Sequence, residues 1–108
     1  MGRGLEMAKY EIDNGPGGGL FRGTTAAQRI AQNVKNLLRT KKGEVPYDRK
    51  RGLDPAFLEM PIVEANKWLM AEVDRCLGWE PRARPISARA ELTAAGETRI
   101  TVTVEIDE

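Results

Sequence analysis

The sequence predicts an α+β fold in which two main helices pack on a small antiparallel sheet that ends in a C-terminal β-hairpin. Three observations lead to this fold class. One apolar stripe with helical spacing follows Thr25, a second follows Pro61, and residues 86–106 alternate apolar and polar side chains. We expect a single α+β domain over residues 24–108, preceded by a flexible N-terminal arm over residues 1–23.

The N-terminal arm carries a glycine-rich run from Asn14 to Gly19 and has no sustained periodicity. Residues 1–23 are therefore interpreted as a mobile arm, or as a short strand followed by a flexible link. The run lacks the Gly-Lys-Ser/Thr ending that cradles a phosphate, which argues against a nucleotide-binding loop.

The first helix is predicted to begin after Thr25 and to end near Arg39. Thr25 can accept a hydrogen bond at the helix N-terminus, and Gln28 stands where the second residue of a capping box belongs. The apolar stripe, which we assign to the core, comprises Ala27, Ile30, Ala31, Val34, Leu37 and Leu38. The opposite face carries Gln28, Arg29, Gln32, Lys35 and Asn36.

The second helix is predicted to begin at Pro61 and to stop at Gly78, after a short helical turn that begins at residues 54–55. Its apolar arc comprises Ile62, Ala65, Leu69, Val73, Cys76 and Leu77, widened by Val63 and Met70. Two side chains break the pattern. Asn66 falls inside the arc and needs hydrogen-bond partners if it is buried. Trp68 projects from the polar side, so it either packs under a loop or contacts a partner.

The last third of the sequence is predicted to form two strands that join in a hairpin around Ala95 and Gly96. Each strand presents an apolar face to the helices and a polar face to solvent. The apolar faces comprise Ile86, Ala88, Ala90 and Leu92 in the first strand and Ile100, Val102, Val104 and Ile106 in the second. The second strand is rich in β-branched residues and short of internal charge, so we expect it at an exposed edge of the sheet.

The composition excludes several classes of chemistry. The chain has a formal net charge of +1, no histidine and a single cysteine. Without histidine, the commonest general base and metal ligand are missing, and so are the Ser-His and Cys-His pairs of many hydrolases. Cys76 lies at helical spacing from Leu69 and Val73, which indicates a buried thiol. We therefore expect no metal, no cofactor and no small-molecule substrate.

Charged residues are distributed unevenly along the chain. Basic residues crowd the middle, namely Lys35, Arg39, Lys41, Lys42, Arg49, Lys50 and Arg51, whereas Glu97, Glu105, Asp107 and Glu108 make the C-terminal end acidic. Such polarity is typical of head-to-tail or multi-partner assembly, and it also allows weak contact with nucleic acid. No apolar run is long enough to span a membrane and the N-terminus does not resemble a signal peptide, so we expect a cytoplasmic protein without a membrane partner.

The most informative motif is Trp79-Glu80-Pro81-Arg82, which stands where the second helix ends and the hairpin begins. Pro81 fixes its own φ and favours an extended Glu80, so the side chains of Glu80 and Arg82 leave the chain on the same side. The two side chains can pair with each other or face a partner together. A surface pair that only steadies the helix exit is the simpler interpretation.

A second motif follows the first helix, where Thr40 is followed by Gly43 and Glu44. Together with Glu80-Pro81-Arg82 and the terminal hairpin, this order of elements resembles the baseplate wedge and sheath-initiator family of contractile phage tails, a lysozyme-like family. The resemblance covers residues 24–107. It implies a small structural subunit of a phage tail, a tailocin or a related injection particle, made in the host cytoplasm and then carried in the virion or particle.

The resemblance also implies partners and contact residues. The partners would be the tail sheath protein and other baseplate wedge proteins. Trp79, Glu80, Pro81 and Arg82 would dock on the wedge core, and the last strand would template the first sheath ring by strand addition. That strand comprises Arg99, Ile100, Thr101, Val102, Thr103, Val104, Glu105 and Ile106. Further interface candidates are Gly43, Glu44, Tyr47 and Trp68, although this chain has Arg51-Gly52 where relatives often have Phe-Gly.

Three other functions stay open from the residues alone. A glycosidase needs two carboxylates at a set separation, and Glu72 and Glu80 are the nearest candidates. Nothing in the sequence marks either carboxylate as part of a sugar-binding cleft, so we expect no catalysis. The basic stretch from Lys35 to Arg51 allows a weak nucleic-acid-binding module, although a net charge near zero argues against it. A protein-binding adaptor or regulator could use the same fold, because fold does not determine function.

Overall fold

The computed structural model describes residues 7–16, 25–43 and 51–107 and has the predicted α+β architecture. The elements in chain order are strand β1 (Met7–Asp13), helix α1 (Ala26–Arg39), the short helix α2 (Ala56–Glu59), helix α3 (Ile62–Cys76), strand β2 (Ala83–Leu92) and strand β3 (Thr98–Asp107). The strands form one antiparallel sheet in the order β1-β3-β2. Helix α1 packs on β1 and β3, and α3 packs on β2. Within the described ranges, no helix has the length and apolar character that a membrane span requires.

Both long helices follow the local signals in the sequence. The Thr25 hydroxyl accepts a hydrogen bond from the Gln28 N–H at 3.1 Å, which satisfies one of the free donors at the start of α1. Pro61 precedes α3, where its missing N–H costs nothing. A 3-10 turn over Leu77–Trp79 follows α3 and leads the chain towards the sheet. The predicted hairpin between β2 and β3 is confirmed, with Gly96 in its turn at a φ of +85°.

The core lies between the helices and one face of the sheet. The inward residues of β3 are fully buried, and they share one cluster with apolar residues of both long helices. This cluster includes Ile100, Val102, Val104 and Ile106 from β3, Ala31 and Val34 from α1, and Leu69 and Val73 from α3. Cys76 belongs to the same cluster, and burial raises the pKa of its thiol to about 11. The thiol is therefore protonated at neutral pH, as a core residue should be.

Three helical side chains lie on the side opposite to the one predicted. Lys35 was placed on the polar face of α1, but it is only 3% exposed. Its ammonium group is 3.0 Å from the Asp13 carboxylate of β1, and this ion pair makes its burial possible. Val63 and Met70 were placed in the apolar arc of α3, yet they are 74% and 36% exposed. The reason is geometric, because the described core covers only the narrower stripe centred on Ala65 and Leu69.

Strand β1 decides between the two interpretations of residues 1–23. Residues 7–13 form a strand that pairs along its whole length with β3, so this part of the predicted arm belongs to the sheet. The signal for this strand was the alternation of Ala8, Tyr10 and Ile12, of which Ile12 is only 2% exposed.

The prediction that β3 lies at an exposed edge is wrong. β3 is the central strand, paired with β1 on one side and with β2 on the other. The β-branched residues that suggested an edge are instead typical of a strand whose neighbours cover it on both sides.

Strand β2 departs from simple alternation at one point. Pro85 lies opposite Val104 and Ser87 lies opposite the next residue of β3, Thr103, so Ile86 is the extra residue of a β-bulge. Ile86 is 44% exposed and does not belong to the core. Leu92 at the end of β2 is also exposed, at 62%. The apolar face predicted for this strand is therefore shorter than its sequence pattern.

Candidate protein–protein interface

The Trp79–Arg82 segment forms a tight turn between α3 and β2. The Glu80 N–H donates to the Leu77 carbonyl at 2.8 Å, and the Ala83 N–H donates to the Glu80 carbonyl at 3.1 Å. Pro81 occupies the second position of this turn, where its fixed φ is favourable. These two hydrogen bonds restrict the backbone of the turn before β2 begins, and the side chains of residues 80 and 82 extend from this restricted backbone.

The Glu80 carboxylate is buried and fully engaged. The residue is 3% exposed, and Asn33 of α1 donates a hydrogen bond to Oε1 at 2.9 Å. Arg82 binds both oxygens, with Nε at 2.8 Å from Oε2 and Nη2 at 3.0 Å from Oε1. Burial raises the pKa of Glu80, but the hydrogen bonds from Arg82 and Asn33 outweigh burial and hold the pKa below its usual value. Glu80 is therefore ionised at neutral pH, unlike a glycosidase general acid, whose pKa is raised.

Arg82 is paired with Glu80 and accessible at the same time. Its side chain is 66% exposed, whereas that of Glu80 is 4% exposed. A guanidinium carries five N–H donors, and only some of them point at Glu80. The remaining donors face solvent in an orientation that the buried carboxylate fixes. The sequence allowed Glu80 and Arg82 either to pair with each other or to face a partner. In the structure Arg82 pairs with Glu80 and is still accessible to a partner.

A polar cleft of about 250 Å³ lies beside this turn. Trp79 and Glu80 form one wall, and Asn33 and Thr40 of the α1 end form another. Arg51 also lines the cleft, with its guanidinium carbon 6.0 Å from the centre of the Trp79 ring, at the limit of a cation–π contact. Arg82 pairs with Glu80 of the cleft wall, and we call the cleft together with the exposed Arg82 the turn surface.

The end of β3 lies close to the turn surface. Ala83 pairs with Ile106, and Arg84 contacts Glu105 across the strands at 3.2 Å. The structure therefore brings the Glu80-Pro81-Arg82 motif and the C-terminal part of β3 to the same end of the sheet. The side chains of β3 alternate, however. Those of Ile100, Val102, Val104 and Ile106 are buried in the core, and those of Arg99, Thr101, Thr103 and Glu105 lie on the other face.

The remaining interface candidates lie elsewhere. Trp68 is 58% exposed on α3, where its indole N–H donates to Glu64 of the same helix at 3.3 Å. It therefore does not pack under a loop. Gly43 follows α1 with a φ of +98°, close to the isolated bridge between Lys41 and Leu53. Glu44 and Tyr47 lie outside the described residues.

Glu72, the other carboxylate weighed for catalysis, is also buried and paired. It is 8% exposed and accepts hydrogen bonds from Arg75 at 2.7 Å and from the Asp54 N–H at 2.8 Å. Arg75 also donates to the Gly52 carbonyl at 2.6 Å, so Glu72 holds the 51–54 loop against α3. Within the described ranges, no group of three or more Cys, Asp, Glu or His side chains could hold a metal ion.

Sequence reasoning missed Asn33 and Arg51 as members of the turn surface. Asn33 is an exposed residue on the polar side of α1, and nothing in its local pattern indicates a contact with a residue 47 positions away. Arg51 stood only in a basic run, which is more often a solvated loop. Such contacts depend on the packing of α1 against the α3 exit, and periodicity carries no information on that packing.

Comparisons with known proteins add no relatives to this description. No family model matches the sequence, and neither the curated proteins nor the solved structures gave a significant match. The resemblance to baseplate wedge and sheath-initiator proteins therefore rests on the motifs and their order alone.

Proposed function

We propose that this chain is a structural subunit of the baseplate of a contractile phage tail, or of a phage-derived injection particle, without a catalytic role. The observation that carries the proposal is the Glu80–Arg82 pair, in which a buried carboxylate holds an exposed guanidinium in a fixed place. A group presented in this way can bind a partner's carboxylate with little further loss of conformational entropy. The motif order, Thr40-x-x-Gly43-Glu44 and then Glu80-Pro81-Arg82, supports the wedge and sheath-initiator family in particular.

The turn surface is the proposed docking site for the wedge core. Tryptophan and arginine are the side chains most enriched at the energetic centres of protein interfaces. Here Arg82 is exposed, Trp79 is half-buried, and the cleft between Trp79 and Asn33 can accept a side chain from the partner. Docking would take place during assembly in the host cytoplasm, and the subunit would then stay in the virion or particle.

The second proposed contact is strand addition by the sheath protein, at the outer edge of β1 and not at β3. The Asn14 N–H donates to the Ile100 carbonyl at 3.1 Å, so β1 backbone groups at every second residue face β3. The backbone groups of Lys9 and Glu11 therefore point away from β3. Within the described ranges no strand pairs with this edge, and an incoming strand could extend the sheet there.

The other edge of the sheet, along β2, is less suitable for strand addition. The Ala83 N–H is occupied by the Glu80 carbonyl, and Pro85 has no N–H to donate. The bulge at Ile86 interrupts the regular spacing of backbone hydrogen-bonding groups along β2. The Asn66 side chain forms hydrogen bonds with the N–H and the carbonyl of Ala90. These features are common protections of edge strands.

The proposal is tested by co-expressing the tagged chain with its neighbouring genes, isolating it, and imaging the recovered particles by electron microscopy. The wild-type chain should recover sheath and wedge proteins in tail-like particles. Arg82→Ala should leave the chain folded and prevent its incorporation, because truncating one partner of a buried interfacial charge pair costs about 2–5 kcal/mol.

Arg84→Ala is the matched control for this experiment. The Arg84 side chain is 67% exposed, close to the 66% of Arg82, and it also pairs with a glutamate of its own chain, Glu105. Its loss should leave incorporation intact. Normal incorporation of the Arg82→Ala chain would contradict the docking role of the turn surface.

The same experiment separates the alternatives. Recovery of one unrelated regulator would indicate an adaptor on the same fold. Recovery of nucleic acid that disappears at high salt would indicate a nucleic-acid-binding module. Three of the five described residues of the basic stretch favour a protein partner over nucleic acid, because Lys35 is buried with Asp13, Lys42 lies 4.0 Å from Asp54, and Arg51 lies near the Trp79 ring.

A further inference from the structure

Arg99 at the start of β3 is a half-buried arginine without a hydrogen-bonding or ion-pair partner among the described residues. Its cross-strand neighbour is Glu91, but the Glu91 carboxylate lies 3.6 Å from Arg89. The Asp13 carboxylate is close enough to Arg99 to feel its charge, yet its Oδ1 accepts from Lys35 at 3.0 Å and from the Gly15 N–H at 2.9 Å. The carboxylates of Glu91 and Asp13 thus each contact another cation.

The Arg99 guanidinium contacts the loop that follows β1. It lies against the backbone of Gly15, where an added Cβ atom would come within 2.7 Å of Cζ and Nη1. The neighbouring Asn14 is fixed by its side chain, whose Oδ1 accepts from the Ile100 N–H at 2.9 Å. Glycine at position 15 therefore leaves room for the guanidinium, and a side-chain carbon at this position would displace it.

A polar cleft of about 350 Å³ opens beside this arginine. Its described lining includes Arg99, Lys41 and Thr98, together with the carboxylate of Glu97. It shares no described lining residue with the cleft beside Trp79. We call this site the Arg99 cleft.

We propose that the Arg99 cleft binds the side-chain carboxylate of an acidic peptide segment in a partner protein. A planar guanidinium matches a carboxylate in two parallel hydrogen bonds, and the donors of Arg99 have no acceptor among the described residues. Glu97 in the lining and Asp13 nearby disfavour a phosphate dianion more than a single negative charge. The site therefore selects a carboxylate, and it acts independently of the turn surface.

The test is a titration of the ¹⁵N-labelled chain with an acetylated, amidated tri-glutamate peptide, followed by two-dimensional NMR. We expect saturable shifts of the Gly15, Gly96 and Thr98 amides and of the Arg99 Nε–H. A tri-glutamine peptide and inorganic phosphate serve as comparison ligands and should bind more weakly. Equal shifts with tri-glutamine, or tighter binding of phosphate, would overturn the proposal.

Two pairs of variants separate a built site from a general charge effect. Arg99→Gln should weaken tri-glutamate binding by about tenfold, since a charge-assisted bidentate contact is lost. Arg84→Gln removes the same charge from an exposed arginine that already pairs with Glu105, and it should leave binding unchanged. Equal weakening by the two variants would show that only net charge matters, which would contradict the proposal.

Gly15→Ala is the geometric test. It keeps every charge, and its added Cβ atom displaces the Arg99 guanidinium from its contact with residue 15. The displaced group is the end of a flexible side chain, so the fold should survive, and a dispersed NMR spectrum checks this. Gly78→Ala is the matched control, since an added Cβ atom there meets nothing within 4 Å. We expect weaker binding only for Gly15→Ala. Unchanged affinity of a folded Gly15→Ala chain would show that the placement of Arg99 has no role.

Discussion

The side-chain amide of Asn66 on α3 pairs with the backbone of Ala90 on β2. Its Nδ2 donates to the Ala90 carbonyl at 3.0 Å, and the Ala90 N–H donates to its Oδ1 at 2.9 Å. The same Nδ2 also lies 3.0 Å from the Ile62 carbonyl one turn earlier in the helix. One amide group thus occupies a donor and an acceptor on the outer edge of β2, as a peptide group of a neighbouring strand would. This pairing explains a polar residue beside the apolar stripe of α3.

Replacing Asn66 should therefore affect both stability and association. We expect Asn66→Ala to lower the free energy of unfolding by about 1–2 kcal/mol, since two hydrogen bonds to the sheet are lost and water replaces them only in part. Urea denaturation followed by circular dichroism measures this change. Lys67→Ala, at the next position on the exposed side of α3, is the control and should be nearly neutral. The Asn66→Ala chain should also aggregate more readily, because an edge of β2 is uncovered.

The Lys35–Asp13 pair is expected to behave as a coupled unit that joins α1 to β1. Asp13→Asn should cost about 1–3 kcal/mol of unfolding free energy, because it leaves the buried Lys35 without its counter-charge while Asp13 itself is partly solvated. Lys35→Met combined with Asp13→Asn should recover part of this loss, since no charge then stays buried. A double-mutant cycle from urea denaturation gives the coupling energy. Strictly additive losses would contradict the coupling.

Acid should weaken the fold through Asp13 and Glu80. Burial raises the pKa of each carboxyl, but hydrogen bonds and nearby cations outweigh it, so each pKa is lower in the folded chain than in the unfolded chain. Their contribution is complete above the unfolded-state values, about 3.9 for Asp and 4.3 for Glu, and is lost as the pH falls through the lower folded values. Unfolding free energies should therefore fall as the pH drops from 6 to about 2.

Glu80→Gln provides the control for this pH dependence. At neutral pH this variant should be less stable than the wild type, because the ion pair with Arg82 is lost. At low pH the Glu80 carboxyl is protonated in both the folded and the unfolded wild type, so the difference between the two proteins should shrink. A difference that stays constant over the whole range would show that the charge of Glu80 does not stabilise the fold.

Two glycines with similar backbone angles should respond differently to alanine. Gly52 and Gly43 have φ values of +97° and +98°. An added Cβ atom at Gly52 would overlap the Thr40 carbonyl, whereas one at Gly43 would meet nothing within 4 Å. Gly43→Ala should cost only the backbone strain, about 1–2 kcal/mol. Gly52→Ala should cost more than about 3 kcal/mol, because the Thr40 carbonyl also accepts the Leu53 N–H and cannot move freely. Thermal unfolding of both variants tests this order.

The elements that sequence reasoning predicted well are those with a local signal. The cap at Thr25, the helical stripe of α1, the start of α3 after Pro61 and the hairpin at Gly96 each depend on residues close in sequence. The prediction failed where the outcome depends on a distant partner. Nothing near Lys35 indicates that Asp13 lies beside it, and nothing in β3 indicates that β1 covers its edge.

The same distinction applies to the candidate site. The pairing of Glu80 with Arg82 was predictable, because Pro81 between them restricts the backbone to a few conformations. The burial of Glu80 was not predictable, because it depends on the packing of α1, which places Asn33 against the carboxylate. The exposure of Arg82 depends on the same packing of α1. Residue spacing thus predicted which groups meet, and only the structure shows which of them faces solvent.

The central position of β3 has a consequence for the order of folding. The β2–β3 hairpin closes through a short turn, whereas the contact between Asn14 and Ile100 joins residues 86 positions apart. Closing a long loop is slower and entropically more costly, so we expect the hairpin and helices to assemble first and β1 to dock last. Until then one side of β3 is open, and a strand from another molecule competes kinetically with β1 for that place. While β1 has not yet docked, a strand of a partner molecule could take its place beside β3. The folded chain no longer offers this place, because β1 fills it.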